Sequence, residues 1–114
     1  MLLNTNIKNA MLQGVADALN IGTHSSISIY IGAVLAVELD MPKPIEKSII
    51  DGVLTFNKPV EVLAIESGVP TAAILRDASG ADVATFEIGT ELTLDKEKIY
   101  KGGYVGINSL TIAI

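Results

Sequence analysis

The spacing of the apolar residues changes once in this chain, at Gly22, and that change restricts the fold more than any other feature. Before it, Ile7, Ala10, Met11, Gly14, Val15, Ala18 and Leu19 recur at helical intervals, and Lys8, Asn9, Gln13 and Asp17 face away from them. The spacing predicts one helix over about residues 6–20, with Asn4, Thr5 or Asn6 as its cap. Gly22 ends it by taking a left-handed conformation. Gly14 on the apolar stripe costs about 1 kcal/mol relative to alanine, and a close contact with a strand would account for it.

After Gly22 the period is two. In "SSISIYIG", Ile27, Ile29 and Ile31 take one face and Ser26, Ser28 and Tyr30 the other. In "VLAVELDM", Leu35, Val37, Leu39 and Met41 alternate with Glu38 and Asp40. "MPKP" is a loop, because proline lacks the ladder donor and restricts its predecessor. "GVLTFN" is a short strand, followed by "PVEVLAIESG" and a turn at Glu66, Ser67, Gly68 and Pro70. Two apolar runs, residues 72–75 and 83–88, flank Asp77-Ala78-Ser79-Gly80 and form a hairpin. "ELTL" is a strand and "DKEK" a charged turn. Gly102 and Gly103 bend the chain into a final strand over residues 104–114. The expected fold is mainly β: an antiparallel sandwich or flattened barrel of about seven to eight strands with one N-terminal helix. It is a single domain over residues 1–114, with the β module beginning at about residue 26.

Residues 102–114 carry no charged side chain. A flexible tail would be polar, whereas Val105, Ile107, Leu110, Ile112 and Ile114 are strand-formers. The sequence therefore predicts a central strand here, or an edge strand covered by a neighbouring subunit, because a bare edge of this kind invites aggregation. Composition points the same way. Apolar residues are 49% of the chain and charged residues 18%, against about 25% charged in ordinary domains. A domain this small cannot hide all of that apolar surface within itself.

A net charge of −5 argues against a nucleic-acid surface and against anionic membranes. No secretory leader is expected, since Met1-Leu2-Leu3 runs at once into Asn4-Thr5-Asn6. Residues 18–37 match a membrane span in length and lack formal charge, but Asn20, Thr23, His24, Ser25, Ser26, Ser28 and two glycines break the stretch. With no cysteine, the chain has no disulfide and no thiolate metal site.

Little in the sequence carries chemistry. His24, the sole histidine, stands beside Ser25 and Ser26, but a nucleophile pair also needs an orienting acid and an oxyanion site. Asp77, Ser79 and Asp82 offer oxygens, though not at EF-hand spacing, and a turn in which Asp77 caps its own backbone explains them without calcium. Tyr100 and Tyr104 could stack on a sugar or base; beside a diglycine, packing at a bend is the simpler reading. No enzyme activity, no cofactor, and no catalytic, cofactor-binding or metal-ligating set is expected.

Four stretches carry a resemblance: "ISIYIG" at 27–32, "GVLTFN" at 52–57, "ILRDASGADV" at 74–83 and "GYVGINSLTIAI" at 103–114. In this order they resemble small virion proteins of tailed bacteriophages. Those carry an N-terminal helix, a strand of the type L-R-I-Y-T-G, then G-V-L-T-A-N, a hairpin R-x-x-D-x-S-G-x-x-V, and a close ending S-x-T-I-x. Two features depart from the pattern. "KPVEVLAIESGVP" replaces an Ala/Thr/Ser-rich stretch, and Gly32-Ala33-Val34 stands where T-G-T-x-P would continue the first strand. The resemblance implies a virion structural protein, foremost a capsid decoration (cement) protein bound to the outside of the head shell. Its implied partners are the major capsid protein and copies of itself, as trimer or dimer; its implied place is the capsid surface, after synthesis in the host bacterial cytoplasm. A tail, neck or fibre-attachment component is the alternative, and a carbohydrate-binding β-sandwich is a third reading.

Overall fold

A computed structural model describes residues 3–114; Met1 and Leu2, part of the stretch weighed as a leader, lie outside them. The alternating run after Gly22 forms β1 (Ser26–Ile31), which lies between β2 (Val34–Asp40) and β6 (Ala72–Arg76). β7 (Asp82–Phe86) pairs with β6 and completes a four-stranded sheet in the order β2-β1-β6-β7. The second sheet has the order β3-β4-β10-β8, from β3 (Glu46–Ile50), β4 (Val53–Phe56), β10 (Ile107–Ala113) and β8 (Leu92–Leu94). A two-residue ribbon joins β5 (Val62–Leu63) to β9 (Tyr104–Val105). Every strand pairing is antiparallel. The mainly β, antiparallel architecture with one N-terminal helix is the expected one, though β3 was not among the strands read from the sequence.

The sheets share one core. Ile27, Ile29, Val37, Leu39, Ala73, Leu75 and Phe86 from the first sheet are buried with Leu54, Phe56, Leu92, Ile107 and Leu110 from the second. Phe56 and Phe86 meet across the interface edge to face, with ring centroids 6.3 Å apart, a favoured aromatic geometry. Along β1 the alternation holds as read: Ile27 and Ile29 are inward, and Ile31 packs partly against the core.

The C-terminal segment is a central strand, with β4 on one side and β8 on the other. It is not continuous from Tyr104. Gly106 interrupts it: its carbonyl accepts from the Asp95 N–H at 3.1 Å and its N–H donates to the Asp95 side-chain Oδ1 at 3.3 Å, and β9 and β10 join different partners. A register shift between Ile107 and Ser109 then makes room for two consecutive exposed residues, Asn108 and Ser109. That bulge is why Ile107 and Leu110 both face the core despite their odd spacing.

The segment after "MPKP" differs from its reading as loop followed by one strand. Residues 46–50 form β3, hairpinned to β4 through Asp51 and Gly52, whose φ angles of 51° and 74° define a primed turn. The Asp-Gly pair was the signal for this hairpin; Lys47-Ser48 breaks the apolar alternation that would have marked the strand.

Helix α1 (Thr5–Leu19) is capped by Asn4, whose Oδ1 accepts from the Ile7 N–H at 2.9 Å. Gly22, at φ 85°, turns the chain beyond the helix end. The buried face is Leu12, Ala16 and Leu19, with Val15 partly buried. This corrects the stripe read from the spacing: Ile7 and Met11 are 47% and 49% exposed, and nothing lies within 4 Å of where a Gly14 side chain would begin. No strand contacts Gly14. The helix lies against β3 and β4, and polar side chains fix it there. Glu46 accepts from Gln13 at 3.2 Å and from Asn20 at 3.0 Å, Asn20 Oδ1 accepts from the Ile45 N–H at 2.8 Å, and Asn9 Oδ1 from the Gly52 N–H at 2.9 Å.

Two outcomes check this arrangement. Glu46→Ala removes the side-chain acceptor of the Asn20 amide and one of the two acceptors of the Gln13 amide, which keeps Asp17 Oδ1 at 2.9 Å, and is expected to lower stability by about 1 kcal/mol in urea titration. Deleting residues 110–114 removes the middle of the second sheet, and circular dichroism should show no cooperative melt; a normal melting temperature would contradict the central placement of β10.

Candidate functional site

β1 sets the geography of the candidate residues. Its Ser26 end pairs with Arg76, next to the β6–β7 turn, and its Tyr30 end pairs with Ala72, next to the crossing segment 60–71. His24, Asp77, Ser79 and Asp82 gather around the first end. Tyr100 and Tyr104 belong to the other, where Tyr104 is paired with Leu63.

At the first end the groups do not converge. His24 Nδ1 stands 3.5 Å from Asp40 Oδ1, both side chains largely exposed. Ser25 is buried and donates its hydroxyl to the Leu19 carbonyl at 2.7 Å, so it serves the helix end and not His24. Asp77 caps its own turn as expected. Its Oδ1 accepts from the Ser79 hydroxyl at 2.6 Å and from the Ser79 and Ala81 N–H groups at 3.0 Å each. The Ser79 hydroxyl, then the Ala81 N–H, hold the Asp77 carboxyl below its ordinary value of 3.8. Asp82 is turned to Arg76. Among the described residues no three His, Cys, Asp or Glu side chains stand close enough to hold a metal, and no helix is long and apolar enough to cross a membrane.

One polar cluster was not singled out by sequence. Arg76 donates to Asp82 Oδ1 at 2.8 Å, to Ser28 Oγ at 2.8 Å and to Tyr30 Oη at 3.1 Å, and its guanidinium lies 5.9 Å from the centre of the Tyr30 ring. The Tyr30 hydroxyl and the Asp82 carboxylate raise the arginine pKa further. The cluster covers Ser28, which is buried on an outward face and finds its partner in Arg76. The sequence signal was the in-register set Ser26, Ser28 and Tyr30 opposite an Arg four residues past Ala72.

What the surface offers most is apolar area, in two regions. Along the outside of α1 stand Ile7, Met11 and, just past its end, Ile21 at 71% exposure, with Val83 of β7 beside them at 42%. Met11, Gly14, Val15, Ala18, Leu19, Asp77 and Val83 line an open groove of about 480 Å³ there. At the far end Val34, Leu63, Ile65, Val69, Tyr100 and Tyr104 are each about half exposed or more. That end is held firmly: Ile65 N–H donates to Ala36 O at 2.8 Å, Gly68 and Ile99 exchange two backbone bonds, and Lys101 N–H donates to Ser67 Oγ at 2.7 Å. Exposed apolar side chains at this end thus stand on hydrogen-bonded backbone.

A scan against protein-family models and searches of curated proteins and solved structures found no significant match to this chain.

Two expectations follow for the isolated protein. Because the folded-state pKa of Asp77 is depressed, its carboxylate stabilises fully above the ordinary value, and the contribution is lost as pH falls through that value towards the lower folded one. Asp77→Asn keeps an acceptor oxygen and removes the titration. Its melting temperature should fall less steeply than the wild type's below about pH 4, and parallel curves would contradict the role given to the turn. Gly14→Ala, with open space at the new methyl, should stabilise the chain by about 1 kcal/mol in urea titration.

Proposed function

We propose that this protein is a bacteriophage virion structural protein, and foremost a decoration protein that binds the outside of the head shell and stabilises it. The observation that carries the reading is the ordered sequence resemblance. Its four stretches fall on β1, β4, the β6–β7 hairpin and β9–β10, so they account for strands in both sheets and not for one local motif. Two features of the surface support it. Exposed apolar side chains sit on firmly hydrogen-bonded backbone at two separate places, which suits a protein that works by burying area against neighbours. A protein that binds only the assembled shell stabilises it by mass action, and needs contact area for that, not a catalytic cleft.

The partners under this reading are the major capsid protein and copies of the chain itself, as a small closed oligomer, trimer or dimer. Its place is the capsid surface. The second reading, a tail, neck or fibre-attachment component, uses the same surfaces in a different location.

Copy number separates them. Quantitative mass spectrometry of purified virions should give this protein at a ratio to the major capsid protein close to one, or a simple fraction of it. A few copies per particle would move it to the tail or neck, and absence from virions would overturn the virion reading.

A further inference from the structure

Asp51-Gly52 is the one Asp-Gly pair in the chain. An aspartate followed by glycine is open to attack by its own main chain, because glycine puts no Cβ in the way of the approaching nitrogen. The Gly52 nitrogen forms a bond to Asp51 Cγ, the carboxyl hydroxyl leaves with a proton as water, and a five-membered imide results. Water then opens the ring. Opening at Cγ restores aspartate. Opening at the Asp51 main-chain carbonyl leaves the backbone running through the side chain, as isoaspartate. One water is released and one consumed, so no oxidant, reductant or further reactant is needed and the mass is unchanged.

The fold exposes one half of this pair and holds the other. Asp51 is exposed and Gly52 is buried. With φ angles of 51° and 74° they are the two central residues of the β3–β4 hairpin. The Gly52 N–H, whose nitrogen is the attacking atom, donates to Asn9 Oδ1 at 2.9 Å. The Gly52 carbonyl accepts from the Ile114 N–H at 3.0 Å. Both polar groups of Gly52 are therefore engaged, one by helix α1 and one by the chain end. The space around it is closed as well: a Cβ at this position would stand 3.0 Å from Lys8 Cδ and 3.4 Å from the Ile114 carbonyl oxygen.

The nitrogen attacks only after giving up its proton, and a bonded amide gives up its proton when the bond opens. The nitrogen must also turn towards Asp51 Cγ, and the bond to Asn9 fixes its peptide plane. Capping the helix is the task of Asn4, so Asn9 is free to make this bond.

We infer that Asp51-Gly52 is a site of spontaneous isoaspartate formation, and that Asn9 holds the reaction back in the folded chain. The inference concerns a reaction of the chain itself and does not rest on the role proposed above. Isomerisation inserts a methylene into the main chain, so a hairpin closed by two residues loses its geometry, and with it the bond that ties α1 to the turn. A modified copy is expected to melt at a lower temperature than an unmodified one.

The experiment incubates the full-length protein at neutral pH and separates aspartyl from isoaspartyl forms of the peptide carrying residue 51 by chromatography. Unfolded in urea, the wild type should accumulate isoaspartate there, and folded it should do so far more slowly. Asn9→Ala, shown by its melt to be folded, should react about fivefold faster than the folded wild type, the equivalent of one ordinary hydrogen bond of about 1 kcal/mol. Asn9→Asp keeps an acceptor oxygen and should stay near the wild-type rate. Glu46→Ala loosens the same helix without touching Gly52 and should also stay near it. An Asn9→Ala rate equal to that of the wild type, or a Glu46→Ala rate raised as much as that of Asn9→Ala, overturns the role of Asn9. Equal rates for folded and unfolded wild type, or no isoaspartate in the unfolded chain, overturn the site. Hydrogen exchange of the Gly52 amide needs no variant: it should be protected in the wild type, and exchange as fast as that of a free amide overturns the inference.

Discussion

The fold depends on one helix closing the side of a sandwich. Two four-stranded sheets cover each other's inner faces, and the helix lies against β3 and β4 at the edge of the second. Leu12, Ala16 and Leu19 of α1 join the shared core there. Glu46, Asn20 and Asn9 fix the helix by hydrogen bonds to the β3–β4 hairpin, and at the C-terminal end Gly22 lies against Ala78 of the β6–β7 turn. At the β2 edge of the other sheet the Ile65 N–H donates to Ala36 O at 2.8 Å.

That closure determines what remains outside. The helix is apolar on two faces, and the core takes only one. The far end of the sandwich is similarly over-supplied, with Leu63 and Tyr104 paired on a ribbon and each about half exposed. Part of the excess of apolar over charged residues stands along α1 and on the β5–β9 ribbon. The polar clusters have a different task. Arg76 seals Ser28, and Asp77 shapes its own turn, so these charged groups serve the fold and leave no converging set for chemistry.

Much of this was legible in the residues. Period-two alternation located β1 and β2, the Asp77-Ala78-Ser79-Gly80 turn located the β6–β7 hairpin, and the uncharged C-terminal run indicated a central strand or a covered edge strand, of which the fold shows the first. The helix was legible but not its orientation. Residues 7, 11, 14 and 18 and residues 12, 16 and 19 each make a helical stripe, and hydropathy alone does not say which one a sheet will cover. Strand β3 was hidden because Glu46, Lys47 and Ser48 are half-exposed edge residues, chosen to hold the helix and face solvent. The bulge at Asn108 was hidden because it leaves both flanking apolar residues inward. Of the surface, the excess of apolar area was visible in composition, while its grouping needed the chain folded: Val83 joins Met11, and Leu63 joins Tyr104, only through tertiary pairing.

The most direct test of the closing role of α1 is native-state amide hydrogen exchange. The account predicts that amides of Leu12, Ala16 and Leu19 exchange only through the same global opening as those of Leu54 and Leu110, with equal free energies of opening. Helix amides that exchange much faster, while β4 and β10 stay protected, would show a sandwich that stands without its helix and would contradict the account.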